Sequence, residues 1–333
     1  MKLKIPKPIS AGIILSYKCS SQCKHCLYYS SPLWKGDWME EELLTETLEI
    51  LSTLVKRSSF LSFNYGVHLS GGEPFLNFEL LLKAVKIAKK LKISPILVET
   101  NAVWCLREDL SLEKLRTLKE VGLDGILISV NPFLLEYVPF KRTKLAIDCA
   151  FRIFSEGVLI YQEVFYHEFK RLNIEETLPL KNYLEKSGYG LYFAELLPMG
   201  RACYELSFLF KKYPPEVFFG KNCKAELLSP YHVHVDNYGN YLTGFCAGLS
   251  LGHITELKSL VEEGINLKKK PLLDLLLQDI KLFYQMAVKE FGYQPPEEGF
   301  ISKCHLCLDI RRFLVSKGAN FQELVPKEYY QVS

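Results

Sequence analysis

The 333-residue sequence lacks the features that would assign it to a membrane, to export or to a nucleic acid. It has no run of 18 or more apolar residues, and no long apolar segment follows the lysines of its first ten residues. We therefore expect a cytoplasmic protein with no membrane anchor. The formal net charge is only +3 and no stripe of basic residues is present, so no nucleic-acid partner is expected.

A common catalytic signature is also missing. The sequence has no phosphate-binding Gly-x-x-x-x-Gly-Lys-Ser/Thr loop. A kinase-like function therefore has no support. What the chain does have is ten cysteines, which in a reducing compartment indicate metal binding rather than disulfides.

Three of these cysteines lie in one short loop, Cys19-Ser-Ser-Gln-Cys23-Lys-His-Cys26. The loop follows the apolar run from Ala11 to Leu15, a pattern typical of a buried strand that ends at a site. Three thiolates can hold three irons of a [4Fe–4S] cluster and leave the fourth iron open. Taken alone, the pair Cys23 and Cys26 is also compatible with half of a zinc knuckle or with a thioredoxin-like dithiol.

Apolar strands and amphipathic helices alternate along the next part of the chain. Strands are predicted at 11–15, 66–69, 95–98, 125–130, 158–165 and 191–197, and helices at 40–55, 78–91, 112–121, 144–155 and 174–187. This alternation predicts parallel strands with helical crossovers and sites at the carboxyl ends of the strands. Those ends carry the cysteine loop, Gly71-Gly-Glu-Pro74, Glu99-Thr-Asn101, Ser129 and Pro198-Met-Gly-Arg201.

The Gly71-Gly-Glu-Pro74 segment has its own chemistry. Two glycines let the backbone approach a ligand closely and allow positive φ angles. Glu73 places a carboxylate at the same end of the predicted sheet as the cysteine loop, and Pro74 fixes the exit toward the next helix. The segment follows the cysteine loop by one strand–helix–strand unit.

This combination resembles the radical S-adenosylmethionine (radical SAM) superfamily, over about residues 11–201. His25 stands where that family usually has an aromatic residue. The resemblance implies an α/β fold, with a partial (β/α)6 TIM-like barrel over residues 1–201. It also implies a [4Fe–4S] cluster on Cys19, Cys23 and Cys26 whose open iron binds the amino and carboxylate groups of S-adenosylmethionine (SAM).

Further roles come from the same resemblance. It assigns the SAM amino group to Gly71, Gly72 and Glu73, and it makes Asn101, Ser129 and Gln162 candidates for the carboxylate, ribose and adenine, with Glu163 and Glu195 facing the substrate. Members of the family cleave SAM reductively to a 5′-deoxyadenosyl radical, which abstracts a hydrogen atom from the substrate. The electron would come from a donor such as ferredoxin or flavodoxin.

After residue 201 the alternation stops and four more cysteines follow. A hairpin is predicted to turn at Asp236 to Asn240, and a helix is predicted over 272–290. The cysteines are Cys223, Cys246, Cys304 and Cys307. Residues 202–333 thus resemble the auxiliary-cluster extension called SPASM or, when shortened, Twitch. We expect a second [4Fe–4S] cluster on these four thiols, with a structural zinc site as the alternative.

Three cysteines remain. Cys149 lies in a helical apolar stripe and is predicted to pack in the core. Cys105 and Cys203 follow strand ends and are candidate hydrogen-atom donors to a substrate radical, although free thiols are more often buried and inert.

Three functions are compatible with these features. The first is a radical SAM maturase acting on a peptide or protein side chain. The second is a radical dehydrogenase or carbon–carbon bond-forming enzyme on a small metabolite. The third is a non-catalytic iron–sulfur or zinc scaffold, which the Gly71-Gly-Glu-Pro74 segment disfavours. The barrel is predicted to begin near Ile14 with no leader-peptide-binding domain before it. Either this weakens the case for a peptide substrate, or leader recognition comes from a separate chain.

Overall fold

The computed structural model describes residues 2–331, which fall into two compact units. The first unit consists of Ile9–Cys23 and Ser30–Glu195. The second consists of residues 2–8, Lys24–Tyr29 and residues 196–331.

A parallel sheet of five strands forms the centre of the first unit. Its strands are β2 (Ser10–Ile14), β3 (Gly66–Ser70), β4 (Ile96–Thr100), β5 (Gly125–Ser129) and β6 (Val158–Tyr161), and they lie side by side in that order. The sequence predicts these five strands to within a few residues, because each is an apolar run between turn signals. The α/β class with a mostly parallel, partial-barrel sheet is confirmed.

Helices connect these strands. They are α1 (Glu41–Leu54), α2 (Phe78–Lys90), α3 (Glu108–Glu120), α4 (Pro132–Leu135), α5 (Phe140–Phe154), α6 (Glu163–Arg171) and α7 (Leu180–Lys186). Helix α2 shows why the sequence specifies them. The Asn77 side chain accepts a hydrogen bond from the Leu80 amide at the helix start, and Lys89 and Lys90 lie at the negative end of the helix dipole.

The two faces of the sheet differ in chemistry, because successive side chains of a strand point to opposite faces. One face carries fully buried aliphatic residues such as Ile13, Leu69 and Val98. The other face carries polar side chains, namely His68, Ser70, Glu99, Ser129 and Tyr161. The polar face lets the sheet carry a site while the aliphatic face supplies the core.

The predicted sixth strand, Leu191–Leu197, is wrong. Within the part of the chain that the structure describes, residues 191–197 are not in a strand. The amides of Tyr192 and Ala194 instead donate to the carbonyls three residues earlier, and the Tyr192 side chain is 85% exposed. The first unit therefore has five of the six strands of a (β/α)6 barrel.

Other boundaries differ from the predictions as well, among them the helix predicted over 174–187, which begins only at Leu180. Strand β6 ends at Tyr161 rather than at Phe165, because Gln162 adopts a left-handed backbone with φ 63° and α6 starts directly after it. The predicted helix over 272–290 is two helices, because Asp279 is extended and caps the second helix by accepting from the Lys281 amide.

The second unit is built from short elements. Its strands are β1 (Lys2–Leu3), β7 (Val233–Val235), β8 (Asn240–Leu242), β9 (Gly252–His253) and β10 (Ile265–Asn266). Its helices are α8 (Ala202–Glu205), α9 (Lys224–Leu227), α10 (Leu257–Glu262), α11 (Pro271–Gln278), α12 (Ile280–Phe291) and α13 (Lys303–Ser316). The predicted hairpin is confirmed as β7 and β8, with Asp236 accepting hydrogen bonds from the amides of Tyr238 and Asn240 in the turn.

No helix in residues 2–331 is both long enough and apolar enough to cross a membrane.

Candidate functional site

The Gly71-Gly-Glu-Pro74 segment is hydrogen-bonded to the backbone that leads into the cysteine loop. The Gly72 amide donates to the Ser16 carbonyl at 2.8 Å, and the Glu73 amide donates to the Lys18 carbonyl at 3.0 Å. A Cβ atom at Gly72 would lie 1.8 Å from the Lys18 carbonyl oxygen, so only glycine fits there. The second glycine is thus required by the close approach of two site loops to each other.

Glu73 lies at the centre of this arrangement with no exposed surface. Its Oε1 accepts from the Thr100 hydroxyl at 2.8 Å and from the Phe75 amide at 3.1 Å, while Oε2 accepts from the Asn101 amide at 2.7 Å. Burial raises the pKa of Glu73 to about 7, although the three hydrogen bonds act in the opposite direction. The carboxylate therefore joins the ends of β3 and β4.

Asn101 extends this connection to the cysteines. Its Nδ2 lies 3.1 Å from the Ser20 hydroxyl and 3.5 Å from the Cys19 sulfur. Its Oδ1 accepts from the Val103 amide at 2.9 Å. Asn101 was predicted to bind SAM, and the structure places it beside the first cysteine of the loop.

Cys19 and Cys23 belong to the first unit and Cys26 to the second. In the second unit, the Cys26 carbonyl accepts from the Arg201 amide at 3.0 Å. A Cβ atom at Gly200 would lie 2.7 Å from the Cys26 carbonyl, so the predicted Pro198-Met-Gly-Arg201 segment packs closely on the end of the cysteine loop. Burial, and secondarily the charge of Arg201, lowers the pKa of His25 to about 4, so this ring is neutral at pH 7.

Gln162 and Ser129 lie at the carboxyl ends of the last two parallel strands. The Gln162 Oε1 accepts from the Glu195 amide at 3.2 Å. Its Nε2 is buried and has no hydrogen-bond partner among residues 2–331, which is costly unless a ligand accepts the bond. Ser129 is half-buried and pairs in register with Tyr161 on the polar face.

The two glutamates expected to face the substrate have protein partners. The Glu195 carboxylate accepts a hydrogen bond from the Tyr161 hydroxyl. Glu163 is exposed at the start of α6, where one of its oxygens lies 3.3 Å from Nε2 of His167 one turn later.

The pair His68 and Glu99 on the polar face is not among the predicted site residues. The His68 Nε2 and a Glu99 oxygen are 3.5 Å apart, with His68 buried and the Glu99 side chain 37% exposed. Burial raises the pKa of Glu99 to about 7. A charged residue inside an apolar strand was the available signal, because such residues are rarely buried without a function or a partner.

The remaining predicted cysteines are buried. The Cys105 thiol donates to the Ser111 hydroxyl at 3.0 Å, and burial raises its pKa to about 12. Cys203 has no exposed surface, and burial, followed by the nearby Cys304 thiol, raises its pKa well above the usual range. Cys149 is fully buried, which confirms its predicted core position.

A cavity in the second unit is lined by all four cysteines of the predicted auxiliary site. Its other lining side chains include the charged groups Glu226, Lys303 and Arg311, and the full cysteine set is Cys223, Cys246, Cys304 and Cys307. Burial, and next the neighbouring Cys307, raises the pKa of Cys304 to about 11. A metal bound here would displace thiol protons, since thiolates are the ligands.

The donor set fits a thiolate-bound metal or cluster. Arg311 lines the same cavity with 5% exposure, and its Nε has no hydrogen-bond partner among the described residues. A buried cation of this kind is compatible with an anionic group in the cavity. No three His, Cys, Asp or Glu side chains in residues 2–331 are already arranged around a metal position.

Residues 13–138 match the sequence model of the radical SAM superfamily. The chain carries a radical SAM domain. This domain contains the cysteine loop, the Gly71-Gly-Glu-Pro74 segment and the ends of β2 to β5 described above.

Other similarities of this chain extend over more of its length. GTP 3′,8-cyclase from Aquifex aeolicus (strain VF5) is 26% identical over 219 residues, which cover 59% of this chain and 59% of that protein. The chain thus spans about three fifths of that relative. The crystal structure of BtrN with AdoMet and 2-DOIA is similar at 16% identity, with a TM-score of 0.45, over 81% of this chain and 87% of that one. Native anSMEcpe with bound AdoMet and a peptide is similar at 15% identity, with a TM-score of 0.44, over 77% and 80%.

Proposed function

We propose that this protein is a radical SAM enzyme with two metal centres, acting on a peptide or protein side chain. Cys19, Cys23 and Cys26 hold the SAM-binding [4Fe–4S] cluster, within a core domain over residues 1–201. The four cysteines of residues 202–333, which are Cys223, Cys246, Cys304 and Cys307, hold an auxiliary [4Fe–4S] cluster. The electron donor is an external protein such as ferredoxin or flavodoxin.

The first centre is supported by how the chain positions its loops. When bound, the cluster and SAM supply the reductive cleavage and the hydrogen-atom abstraction that are typical of the family. The residues of this chain supply position: Glu73 fixes the ends of β3 and β4, and Asn101 places an amide beside the Cys19 sulfur. The SAM amino group binds at Gly71, Gly72 and Glu73, where the absence of a Cβ lets this loop pack on the backbone of Ser16 and Lys18, and the unpartnered Nε2 of Gln162 is a donor for a ligand acceptor.

The second centre rests on one observation, which is a single cavity lined by four thiols and a buried arginine. A structural zinc site would use the same four ligands. We favour the cluster because the cavity accompanies a radical SAM domain in the same chain. Metal content distinguishes the two directly.

The substrate class is a separate part of the proposal. Exposed aromatic side chains that suit a peptide lie in segment 189–193, which ends two residues before Glu195, and the Glu195 amide donates to Gln162. Within this segment, Tyr189 and Tyr192 each make an edge-on ring contact with Phe193. A small metabolite is the second candidate, and the similarity to GTP 3′,8-cyclase favours it. Cys105 and Cys203 are proposed as hydrogen donors only if their thiols become accessible to the substrate.

The test begins with anaerobically purified protein and its Cys23→Ala and Cys307→Ala variants. We expect about eight irons per wild-type chain, corresponding to two cubane clusters. With dithionite and SAM, the wild-type protein should form 5′-deoxyadenosine, while Cys23→Ala should form none above background. If the protein contains zinc and only four irons per chain, the second centre is a zinc site and not an auxiliary cluster. If wild-type protein forms no 5′-deoxyadenosine, the non-catalytic scaffold function is the one that remains.

The substrate class is tested with cell extract separated into a small-molecule and a peptide fraction. Reduced enzyme, SAM and each fraction are incubated, and SAM-dependent mass changes are recorded against Cys23→Ala. Changes confined to the small-molecule fraction would overturn the peptide assignment.

A further inference from the structure

Helix α13 presents two cysteines and an arginine on one face. Cys304, Cys307 and Arg311 are spaced i, i+3 and i+7, which places them above one another along the helix. All three line the cavity of the second unit. The arginine is therefore part of the wall that surrounds the thiols.

The position of the Arg311 guanidinium is fixed by two hydrogen bonds. Its Nη1 donates to the Ala247 carbonyl at 2.9 Å and to the Tyr330 hydroxyl at 3.0 Å. Ala247 directly follows Cys246, and Tyr330 also binds the Gly248 carbonyl. The guanidinium thus connects α13 to the loop that carries a different cysteine of the set.

Arg311 is a buried cation in the lining of the cavity, and its Nε donates to none of the described residues. No carboxylate within the described chain forms an ion pair with Arg311, whereas the neighbouring Lys303 is paired with Glu226 at 2.8 Å. An unpaired buried guanidinium costs several kcal/mol unless an anion compensates it. Of the two cations in this cavity, Arg311 has no carboxylate to neutralise it.

We propose that Arg311 is a positioning residue of the auxiliary centre, whose fixed guanidinium in the cavity lining raises the reduction potential of the bound cluster. This inference rests on the proposed auxiliary cluster. One-electron reduction adds a negative charge to a thiolate-ligated cluster, and a fixed cation in a low-dielectric cavity stabilises the more negative state. Hydrogen bonds to cluster sulfurs are a general means of tuning such potentials.

The test uses the full chain with Cys19, Cys23 and Cys26 changed to alanine, so that only the auxiliary cluster contributes to the spectra. Reduction is followed by potentiometric EPR in this background and with Arg311→Gln added. We expect the midpoint to move to more negative potential by at least a tenfold change in the reduction equilibrium, which is about 59 mV for one electron.

The matched control is Arg312→Gln, which removes the same charge from the next position of α13. Arg312 does not line the cavity; it lies over the rings of Tyr204 and Tyr29. We expect it to shift the midpoint by less than half as much. An Arg311→Gln midpoint equal to that of the background, or equal shifts from both variants, would overturn the assignment.

A second variant, Arg311→Lys, tests the proposal if Arg311→Gln does not fold. It keeps the positive charge but loses the several N–H donors of the guanidinium, so we expect it to lose iron to a chelator faster than the Arg312→Lys control. Equal rates of loss would count against the role of Arg311. If the background protein holds no iron, or holds zinc, the auxiliary cluster itself is wrong, and that result is distinct from an unchanged midpoint.

Discussion

The Glu73 carboxylate accepts a hydrogen bond from the Asn101 amide at 2.7 Å, and this bond joins the ends of two neighbouring parallel strands. The same Asn101 places its side-chain amide 3.5 Å from the Cys19 sulfur. The glutamate of the Gly71-Gly-Glu-Pro74 segment is thus connected to the cysteine loop through one intermediate residue. Three of its hydrogen bonds come from the protein, so part of its role is to organise the site before any ligand binds.

The first prediction concerns Glu73→Gln. The new amide nitrogen would replace an acceptor that now faces a donor, leaving at least one buried hydrogen bond unmade. We expect the free energy of unfolding to fall by about 1–3 kcal/mol, measured by urea denaturation. Glu46→Gln, on the exposed side of α1, is the control and should remain within about 0.5 kcal/mol of wild type. Equal effects of the two substitutions would contradict the buried connection.

The second prediction concerns Gly72→Ala. Its Cβ would lie 1.8 Å from a backbone oxygen that cannot move independently, so the two loops must separate. We expect a loss of about 3 kcal/mol in stability together with fewer irons bound at the cysteine loop. The control is Gly188→Ala, where nothing lies closer than 3.9 Å to the added carbon. Full iron content in Gly72→Ala protein would show that the close approach is dispensable.

The third prediction is a pH dependence that arises from Glu99. Its pKa in the folded protein is about 7, above the ordinary value of 4.5, so the folded state binds more protons than the unfolded state between these values. Stability should therefore fall as pH rises from about 4.5 to 7, because protons favour the folded form over this range. The slope should be modest, since 37% of the side chain is exposed.

Glu99→Gln removes this titrating group and should reduce the slope of the profile, measured as urea midpoints at several pH values, while Glu73, whose pKa is also about 7, supplies the remaining slope. Glu46→Gln should leave the wild-type slope unchanged. A Glu99→Gln profile parallel to that of the wild type would assign the pH dependence to another group.

The fourth prediction concerns the accessibility of Cys105. With a pKa of about 12 and no exposed surface, this thiol should resist iodoacetamide at pH 7.5 in folded, metal-free protein. The half-buried Cys26 should react first, and urea should make Cys105 reactive, as read by peptide mass spectrometry. Early modification of Cys105 in the folded protein would instead strengthen its candidacy as a hydrogen donor.

Much of the fold could be predicted from the sequence, because the apolar runs of β2 to β5 are bounded by clear turn signals. The segment 191–197 has the same apolar pattern but is not a strand. Its amides are used in local turns, and Gln162 ends β6 before further pairing residues are available. Periodicity reports which residues are apolar; it does not report whether a partner strand exists.

The site was predictable in its ligand types but not in its supporting contacts. The motifs identify the cysteines and the glycines, whereas the bonds from Glu73 to Thr100 and Asn101 join positions 27 and 28 residues apart. Arg311 could have been noticed from its spacing of four after Cys307. Its burial, however, depends on Ala247 and Tyr330, which are distant in sequence.

Because β6 is only four residues long and the chain turns into α6 straight after Gln162, the last strand of the parallel sheet offers few backbone groups to another polypeptide. Exposed sheet edges can recruit neighbouring molecules into intermolecular sheets, and a very short edge limits such recruitment. The early stop of this strand is therefore a built-in protection against aggregation at a flank that no sixth strand of residues 2–331 covers.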